Sequence, residues 1–325
     1  MDGLGAGIDG PLVIIRALHF AVTAMMTGIL VFRALVLDAA SGPSTTARTI
    51  VAAQTYRLAW MCLALTVVTG LIWLLLEAAS MSGLSFAESM TSEVLLTVVS
   101  QTQFGEVAEI RFALAVIVAG CMGYDRFALA RGLALAMSLG LIAAIAWTGH
   151  AGSTSGEMGI LHLAADALHL VAAAAWTGGL VSLVLLLSAC WRDRTSASAS
   201  LAWHATRRFS AMGIAIVAVI LATGIVNTWI LVGSLNALIS TGYGQLLLFK
   251  IALFAVMLSF AAANRFWLTP RLALPSGEKQ RDALRRLARN SAIEVALALF
   301  IFSIVGILGT MHPAIHTFAS PTPMQ

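Results

Sequence analysis

Residues 150–180, HAGSTSGEMGILHLAADALHLVAAAAWTGGL, decide the fold class of this chain. From about residue 158 the stretch is apolar enough to cross a bilayer, yet it contains His162, Asp166 and His169. Their spacings of four and three residues place all three on one face of a helix. Because ionisable groups are costly in hydrocarbon, this face is expected to meet protein, water or an ion. Two imidazoles beside a carboxylate favour a transition-metal site, and the alternative is a polar contact between helices.

The composition outside this stretch is that of a membrane protein. Of the 325 residues, 59% are hydrophobic and 10% are charged, whereas a soluble domain carries about 25% charged residues. We therefore expect an all-α, polytopic helical bundle that forms a single membrane domain over residues 1–325. The three cysteines have no CxxC spacing, which argues against a zinc knuckle or a disulfide framework. The acidic start, MDGLGAGIDG, is not expected to be a cleaved signal peptide.

Runs of spanning length predict eight transmembrane helices. These runs cover about 11–36, 55–78, 104–123, 129–149, 158–190, 208–233, 245–268 and 290–311. The segment 84–103 is too polar to span and is predicted to be a loop with a short surface helix.

Basic residues predict the orientation of these helices. Sixteen of the 19 Lys and Arg residues lie in four alternate connections or at the span ends that flank them, and the other three, Arg16, Arg111 and Lys250, lie deeper within spans. Since cytoplasmic loops are enriched in Lys and Arg, these connections are predicted to be cytoplasmic and both termini periplasmic. The net charge of +4 is explained by these loops, so no nucleic-acid partner is expected. Six of the seven histidines then fall in the outer half of the membrane: His19, His150, His162, His169, His312 and His316.

Short motifs recur between the two halves of the chain. An ALH motif ending at His19 recurs, 150 residues later, as the motif ending at His169, and both are followed by Thr-Gly at the same offset. Arg111 and Lys250 each follow an aromatic-Gly pair at the same distance. We predict a parallel 4+4 repeat of about 11–150 and 158–312, with its pseudo-twofold along the membrane normal. Chance recurrence of such short apolar motifs is the alternative.

The proposed repeat pairs specific residues. His150 corresponds to His312, and Arg16 corresponds to Asp166 with the opposite charge. An unpaired charge at this depth costs at least about 2.5 kcal/mol, so Arg16 and Asp166 are predicted to form an ion pair across the repeat, with water or a bound ion as the substitute partner.

The motifs in the second half, with His19 in the first, resemble a known family. They are His150 with its Gly-rich loop, His162, Asp166, His169, Trp176, Gly178-Gly179, Arg208-Phe209-Ser210, Thr223-Gly224, Tyr243-Gly244 with Lys250, Asn264-Arg265 and Glu294. Together they resemble the CopD/PcoD copper-resistance family of bacterial inner-membrane proteins. The resemblance implies a multi-pass inner-membrane protein, not an enzyme, that moves or delivers copper beside a periplasmic copper-binding protein of CopC type. The tail, Met311 to His316, departs from the family's ending, so an extra metal-entry site there is not carried over.

Copper binding is the leading functional hypothesis. Imidazole suits Cu(I) or Cu(II) and thioether favours Cu(I), so Met25, Met26, Met158 and Met311 are candidate ligands beside the histidines, although Met is also a common core filler. One alternative is a b-type cytochrome in which His19 and His169 ligate haem, and another is a scaffold for oxidase assembly without a metal. No HExxH motif and no nucleotide-binding loop are present, and no catalytic residue is assigned.

Two arrangements of the metal site are open at this stage. In the first, His19 and His169 pair across the repeat, with His150, His162 or His312 completing the site and Asp166 orienting a ring. In the second, His162 and His169 form one site on a single helix while His312 and His316 form another.

Overall fold

The computed structural model describes residues 10–38, 45–154, 156–193, 195–274 and 277–315. The described residues form helices and turns and include no strand. The α-helices are α1 (Gly10–Phe32), α2 (Thr46–Ser82), α3 (Phe86–Ser89), α4 (Ser92–Gln101), α5 (Gln103–Gly123), α6 (Ala128–Ala143), α7 (His150–Ser153), α8 (Gly156–Asp193), α9 (Ser196–Val232), α10 (Leu235–Ser240), α11 (Gly242–Ala263) and α12 (Glu278–Leu308). Helical turns at Arg33–Leu37, Ala144–Thr148, Asn264–Leu268 and Thr269–Ala273 extend α1, α6 and α11.

Seven helical segments in the described part of the chain are long and apolar enough to cross a membrane. They correspond to the predicted spans except the third, which coincides with the 21-residue helix α5. That helix carries Glu106, Glu109 and Arg111, which lower its apolar character. The all-α, multi-pass fold class is thus confirmed, whereas the third predicted span, residues 104–123, stays a prediction.

Several helices are longer than the sequence predicts. Helices α2 and α9 each have 37 residues and α8 has 38, which at 1.5 Å per residue is about 55 Å against a hydrocarbon core of about 30 Å. The added turns contain the basic residues of the connections, as in α12, which begins at Glu278 instead of residue 290. Hydropathy locates only the apolar part of a helix, whereas backbone hydrogen bonding continues into the polar flank.

The segment between α2 and α5 contains two short helices, α3 and α4, where the sequence predicts one. Ser85 and Glu88 form a capping box at the start of α3, in which the Ser85 side chain accepts from the Glu88 amide and Glu88 accepts from the Ser85 amide. Most side chains of the segment are exposed, which agrees with its polar sequence.

Helices α2 and α9 begin and end with the same chemistry. Thr45 and Thr195 cap their first turns by accepting from the backbone amide three residues later. Gly83 and Gly233 end them with φ of 66° and 74°, a left-handed conformation that glycine adopts without steric cost.

The centre of the bundle is the crossing of α1 and α8. Their backbones meet at Gly28 and Gly178, where a Cβ on either residue would collide with backbone atoms of the other helix. His19 and His169 each lie nine residues before the glycine of their helix, and at about 100° per residue this is half a turn away. Each imidazole therefore faces away from the crossing, toward the other helices of its own half.

Candidate metal centre

His169 is held by a threonine of α9. Its Nδ1 lies 2.9 Å from Thr223 Oγ1, and that hydroxyl lies 2.6 Å from the carbonyl oxygen of Val219. Because the hydroxyl donates to the carbonyl, it accepts from the imidazole, which assigns the proton of the neutral ring to Nδ1. The lone pair is then on Nε2, the atom able to bind a metal. Gly224 packs beside the ring, where a Cβ would lie 3.6 Å from His169 Cε1, an ordinary van der Waals contact.

Charged groups surround His169 on the same side of α8. Asp166 accepts a hydrogen bond of 3.1 Å from Asn227 Nδ2, so α9 orients both the imidazole and the carboxylate. Lys250 of α11 lies close enough to interact electrostatically with Asp166 and His169, and Tyr243 is close to Asp166. We define His162, Asp166 and His169, with these partners, as the α8 histidine site.

His162 also neighbours His150 at the N-terminal end of α8, and we call these two residues the outer histidine pair, after their predicted periplasmic position. Thr154 Oγ1 donates to the carbonyl oxygen of His150 at 3.0 Å and lies 2.9 Å from His162 Nδ1. By the same argument as for His169, His162 carries its proton on Nδ1 and its lone pair on Nε2. His150 Nε2 lies 3.4 Å from the carbonyl oxygen of Leu308, and its ring centroid is 6.4 Å from that of Tyr243. The fold thus places His150, which precedes α8 by six residues, at the N-terminal end of the α8 face.

His19 has a similar frame but a different environment. Its Nδ1 lies 2.9 Å from Thr69 Oγ1, which donates to the carbonyl oxygen of Leu65 at 2.6 Å. Its Nε2, however, is contacted by the guanidinium of Arg111, which can only donate. Both ring nitrogens of His19 are therefore engaged by protein groups, and only 1% of the residue is exposed. We define His19, Thr69 and Arg111 as the α1 histidine site.

Arg16 and Asp166 have separate partners. The Arg16 guanidinium lies 5.3 Å from the ring centroid of Trp73, whose Nε1 donates to Glu77 at 3.0 Å. Asp166 accepts from Asn227 on the other side of the α1–α8 crossing. The ion pair between Arg16 and Asp166 stays a prediction. The two residues, which correspond to each other in the predicted repeat, differ in their neighbours as well as in charge.

The remaining candidate ligands occupy different settings. His312 is exposed beyond the end of α12, and Met158 is 48% exposed at the start of α8. Met26 is fully buried in an apolar cluster with Cys62, and Met25 packs against the same cluster. Met311 is half-buried, and His316 lies outside the described residues. Across the described ranges, no three His, Cys, Asp or Glu side chains converge closely enough to hold a metal ion.

Sequence reasoning missed the residues that orient the histidines. Thr69, Thr223 and Thr154 hold the three imidazoles that lie on α1 and α8, and Asn227 holds Asp166. A signal was present in the recurring Thr-Gly motif, where the threonine hydrogen-bonds to the ring and the glycine packs beside it. Asn227 follows Thr223 by four residues and so lies on the same face of α9.

Comparisons with known proteins identify relatives of the whole chain. Residues 7–160 match the family model described as the copper resistance protein D-like N-terminal domain, and residues 203–308 match that of copper resistance protein D. Copper resistance protein D of Pseudomonas syringae pv. tomato is 34% identical over 256 residues, covering 75% of this chain and 82% of that protein. Copper transport protein CutJ of Bacillus subtilis is 37% identical over 163 residues, covering 49% of this chain and 27% of that protein. Inner membrane protein YebZ of Escherichia coli is 29% identical over 172 residues, covering 52% and 55%. No solved structure matches the chain.

These relatives and the helices agree on location. The chain spans little more than a quarter of the length of CutJ and about half of that of YebZ. Seven helices of spanning length, together with inner-membrane relatives, confirm a multi-pass protein of the inner membrane.

Proposed function

Because the chain belongs to the copper resistance protein D family, we propose that it takes copper on the periplasmic side and moves it across the membrane or delivers it within the membrane. Copper is the cargo in this proposal and not a resident cofactor. The relatives are named for copper resistance and copper transport, and no catalytic step is assigned to this chain.

The proposed topology has eight spans in a parallel 4+4 repeat, with both termini periplasmic. The matched caps of α2 and α9 support the repeat, as do the glycine crossing of α1 with α8 and the histidine–threonine bonds of both halves. In the proposed repeat α5 corresponds to α11, because Thr102 and Thr241 cap the two helices in the same way. The α11 segment is long and apolar enough to cross a membrane. Of the charged residues of α5, Arg111 is buried against the bundle, whereas Glu106 and Glu109 are exposed.

Copper is proposed to bind at the α8 histidine site, entering through the outer histidine pair. The observation that carries this proposal is the tautomer of His162 and His169, since each threonine partner leaves the Nε2 lone pair for a metal. The two residues are seven apart, so about 10 Å of helix separates them and copper would bind at them in sequence. His150 and the exposed Met158 and His312 lie nearer the outer surface, where a CopC-type donor would release copper.

The charge balance of this site suits a cation in transit. Asp166 attracts copper, whereas Lys250 in the same region repels it, so the site binds copper without retaining it. Conduction needs binding that is strong enough for entry and weak enough for release. Neither His19 nor His169 contacts the other ring's partners. The geometry therefore favours a site on α8 alone over a site shared between His19 and His169. The alternative of haem bound by these two histidines gains no support.

The proposal is tested by Cu(I) binding and uptake. Purified protein would be titrated against a competing Cu(I) chelator, then reconstituted in liposomes for uptake measurements. We expect His162→Ala to slow uptake at least 10-fold, because entry depends on it, while His204→Ala on the cytoplasmic side leaves uptake unchanged. Equal uptake by the two variants would contradict entry through the outer histidine pair.

A further inference from the structure

A cavity of about 330 Å³ lies between α2 and α5 in the first half of the chain. Apolar side chains line most of it, while His19 and Arg111 form its inner wall. Leu71 and Phe112, which are 50% and 54% exposed, lie at its rim on the outside of the bundle. Because this surface faces hydrocarbon in a membrane protein, the cavity opens sideways into the bilayer and is closed toward α1.

Arg111 has an unused hydrogen-bond donor in this cavity. Only 6% of the residue is exposed, and its Nε has no hydrogen-bond partner among the described residues. The guanidinium contacts His19 and lies 5.1 Å from the ring centroid of Trp73, and within the described ranges no carboxylate forms an ion pair with it. A buried donor without an acceptor costs about 1–3 kcal/mol, so a ligand oxygen placed here would be bound favourably.

The corresponding position in the second half shows that this donor is specific to the first. Lys250 lies within electrostatic range of the Asp166 carboxylate, whereas Arg111 forms no ion pair with a described residue. Arg16 lies 5.3 Å from the centroid of the same indole that Arg111 contacts. Arg111 is therefore a buried cation beside an apolar cavity, without an ion-paired carboxylate in the described ranges.

We propose that this cavity binds a membrane-soluble quinone, with one carbonyl oxygen accepting a hydrogen bond from Arg111 and the isoprenoid chain extending past Leu71 and Phe112 into lipid. The volume is in the range of small-molecule pockets, which begins at about 300 Å³, and suits a single ring. A quinone is neutral and reaches the cavity from the hydrocarbon interior. A fatty-acid carboxylate would have to be desolvated on the same route, which is costly, and the exposed Glu109 at the cavity would repel it.

The test is a binding titration with matched variants of α5. Purified protein in lipid nanodiscs would be titrated with a decyl-chain quinone, and quenching of tryptophan fluorescence would be followed. Ala108 lines the cavity, whereas Ala113 is exposed on the lipid face of the same helix. We expect saturable quenching for wild type and Ala113→Leu, with affinity at least 10-fold weaker for Ala108→Leu, which fills the space, and for Arg111→Gln.

Folding checks and competition with a fatty acid distinguish the possible outcomes of the titration. Each variant would be checked for helix content by circular dichroism and for monodisperse elution, and Ala108→Leu answers the question if Arg111→Gln does not fold. Equal affinity of Ala108→Leu and Ala113→Leu would overturn the proposal, because it would mean partition into lipid. Displacement of the quinone by an equal concentration of a long-chain fatty acid would also overturn it, because the cavity would then be a carboxylate site. The α8 histidine site is not involved, so failure here is independent of the copper proposal.

Discussion

The α1 and α8 histidine sites share a frame and differ in the charged residues around it. In both, an imidazole Nδ1 lies 2.9 Å from a threonine hydroxyl, and a glycine follows that threonine. In the α1 site Arg111 contacts the ring's second nitrogen, whereas in the α8 site Lys250 lies within electrostatic range of Asp166. Two copies of a motif can therefore keep the same hydrogen bonds while only one leaves a nitrogen for a metal.

The difference follows from the chemistry of the two cations. A guanidinium has five donors in a fixed plane and cannot lose its proton in a protein, so it always acts as a donor toward an imidazole nitrogen. An ammonium on a flexible chain can turn toward a carboxylate. Positions 16 and 166, which correspond in the proposed repeat, add to this contrast, because the first half has Arg where the second has Asp.

The largest effect is expected at the glycine crossing of α1 and α8, which separates the two histidine sites. Gly178→Leu would place a side chain against the backbone of Gly28, which cannot move without separating α1 from α8. We expect more than about 4 kcal/mol of destabilisation, seen as loss of monodisperse protein and a fall in melting temperature. Gly213→Leu is the control, because a Cβ at Gly213 would meet no other atom within 4 Å. Similar melting temperatures for the two variants would refute the close crossing.

The next effect separates the two histidines. His169→Ala is expected to weaken Cu(I) binding more than about 100-fold, because a lost ligand costs more than a lost orienting partner, which is worth about 10–100-fold. His19→Ala is expected to change affinity less than about 3-fold, since Arg111 already occupies its Nε2. Chelator competition measures both, with His204→Ala as the control. Equal losses in the two variants would support a site shared between α1 and α8.

A smaller effect is expected at the threonines. Thr223→Val keeps the side-chain shape but removes the acceptor of the His169 Nδ1 proton, so Cu(I) affinity should fall about 10-fold. The matched variant Thr69→Val acts on His19 and should leave affinity unchanged. If Thr69→Val weakens binding as much as Thr223→Val, the assignment of copper to the α8 site is wrong.

The smallest effect is expected at a candidate thioether ligand. Met26 is fully buried among apolar side chains, so Met26→Leu should leave Cu(I) affinity within about 2-fold and cost less than about 1.5 kcal/mol of stability. Met158→Leu, at the exposed start of α8, is the comparison, and a slower rate of copper loading is expected there. A clear loss of affinity in Met26→Leu would restore Met26 as a ligand.

The fold class followed from composition, because a chain with so few charges can satisfy its backbone in a bilayer only as helices or as a closed barrel. The polar face of α8 was also evident from spacing, since the period of the helix makes residues at four and three positions apart neighbours. Helix ends were less evident: α2 begins nine residues before its apolar run, in a polar flank that hydropathy does not detect.

By itself, the sequence determined the helical membrane bundle, its candidate histidines and the recurrence of Thr-Gly and of a basic residue in each half. Only the tertiary structure decided that Thr69 and Thr223 orient the rings, that Arg111 contacts His19, and that Thr154 links the backbone of His150 to the ring of His162. The physical reason is that these contacts join residues on different helices, and their distance depends on how the helices cross. The Gly28–Gly178 crossing directs His19 and His169 away from each other, a relation that helical periodicity allows but does not require.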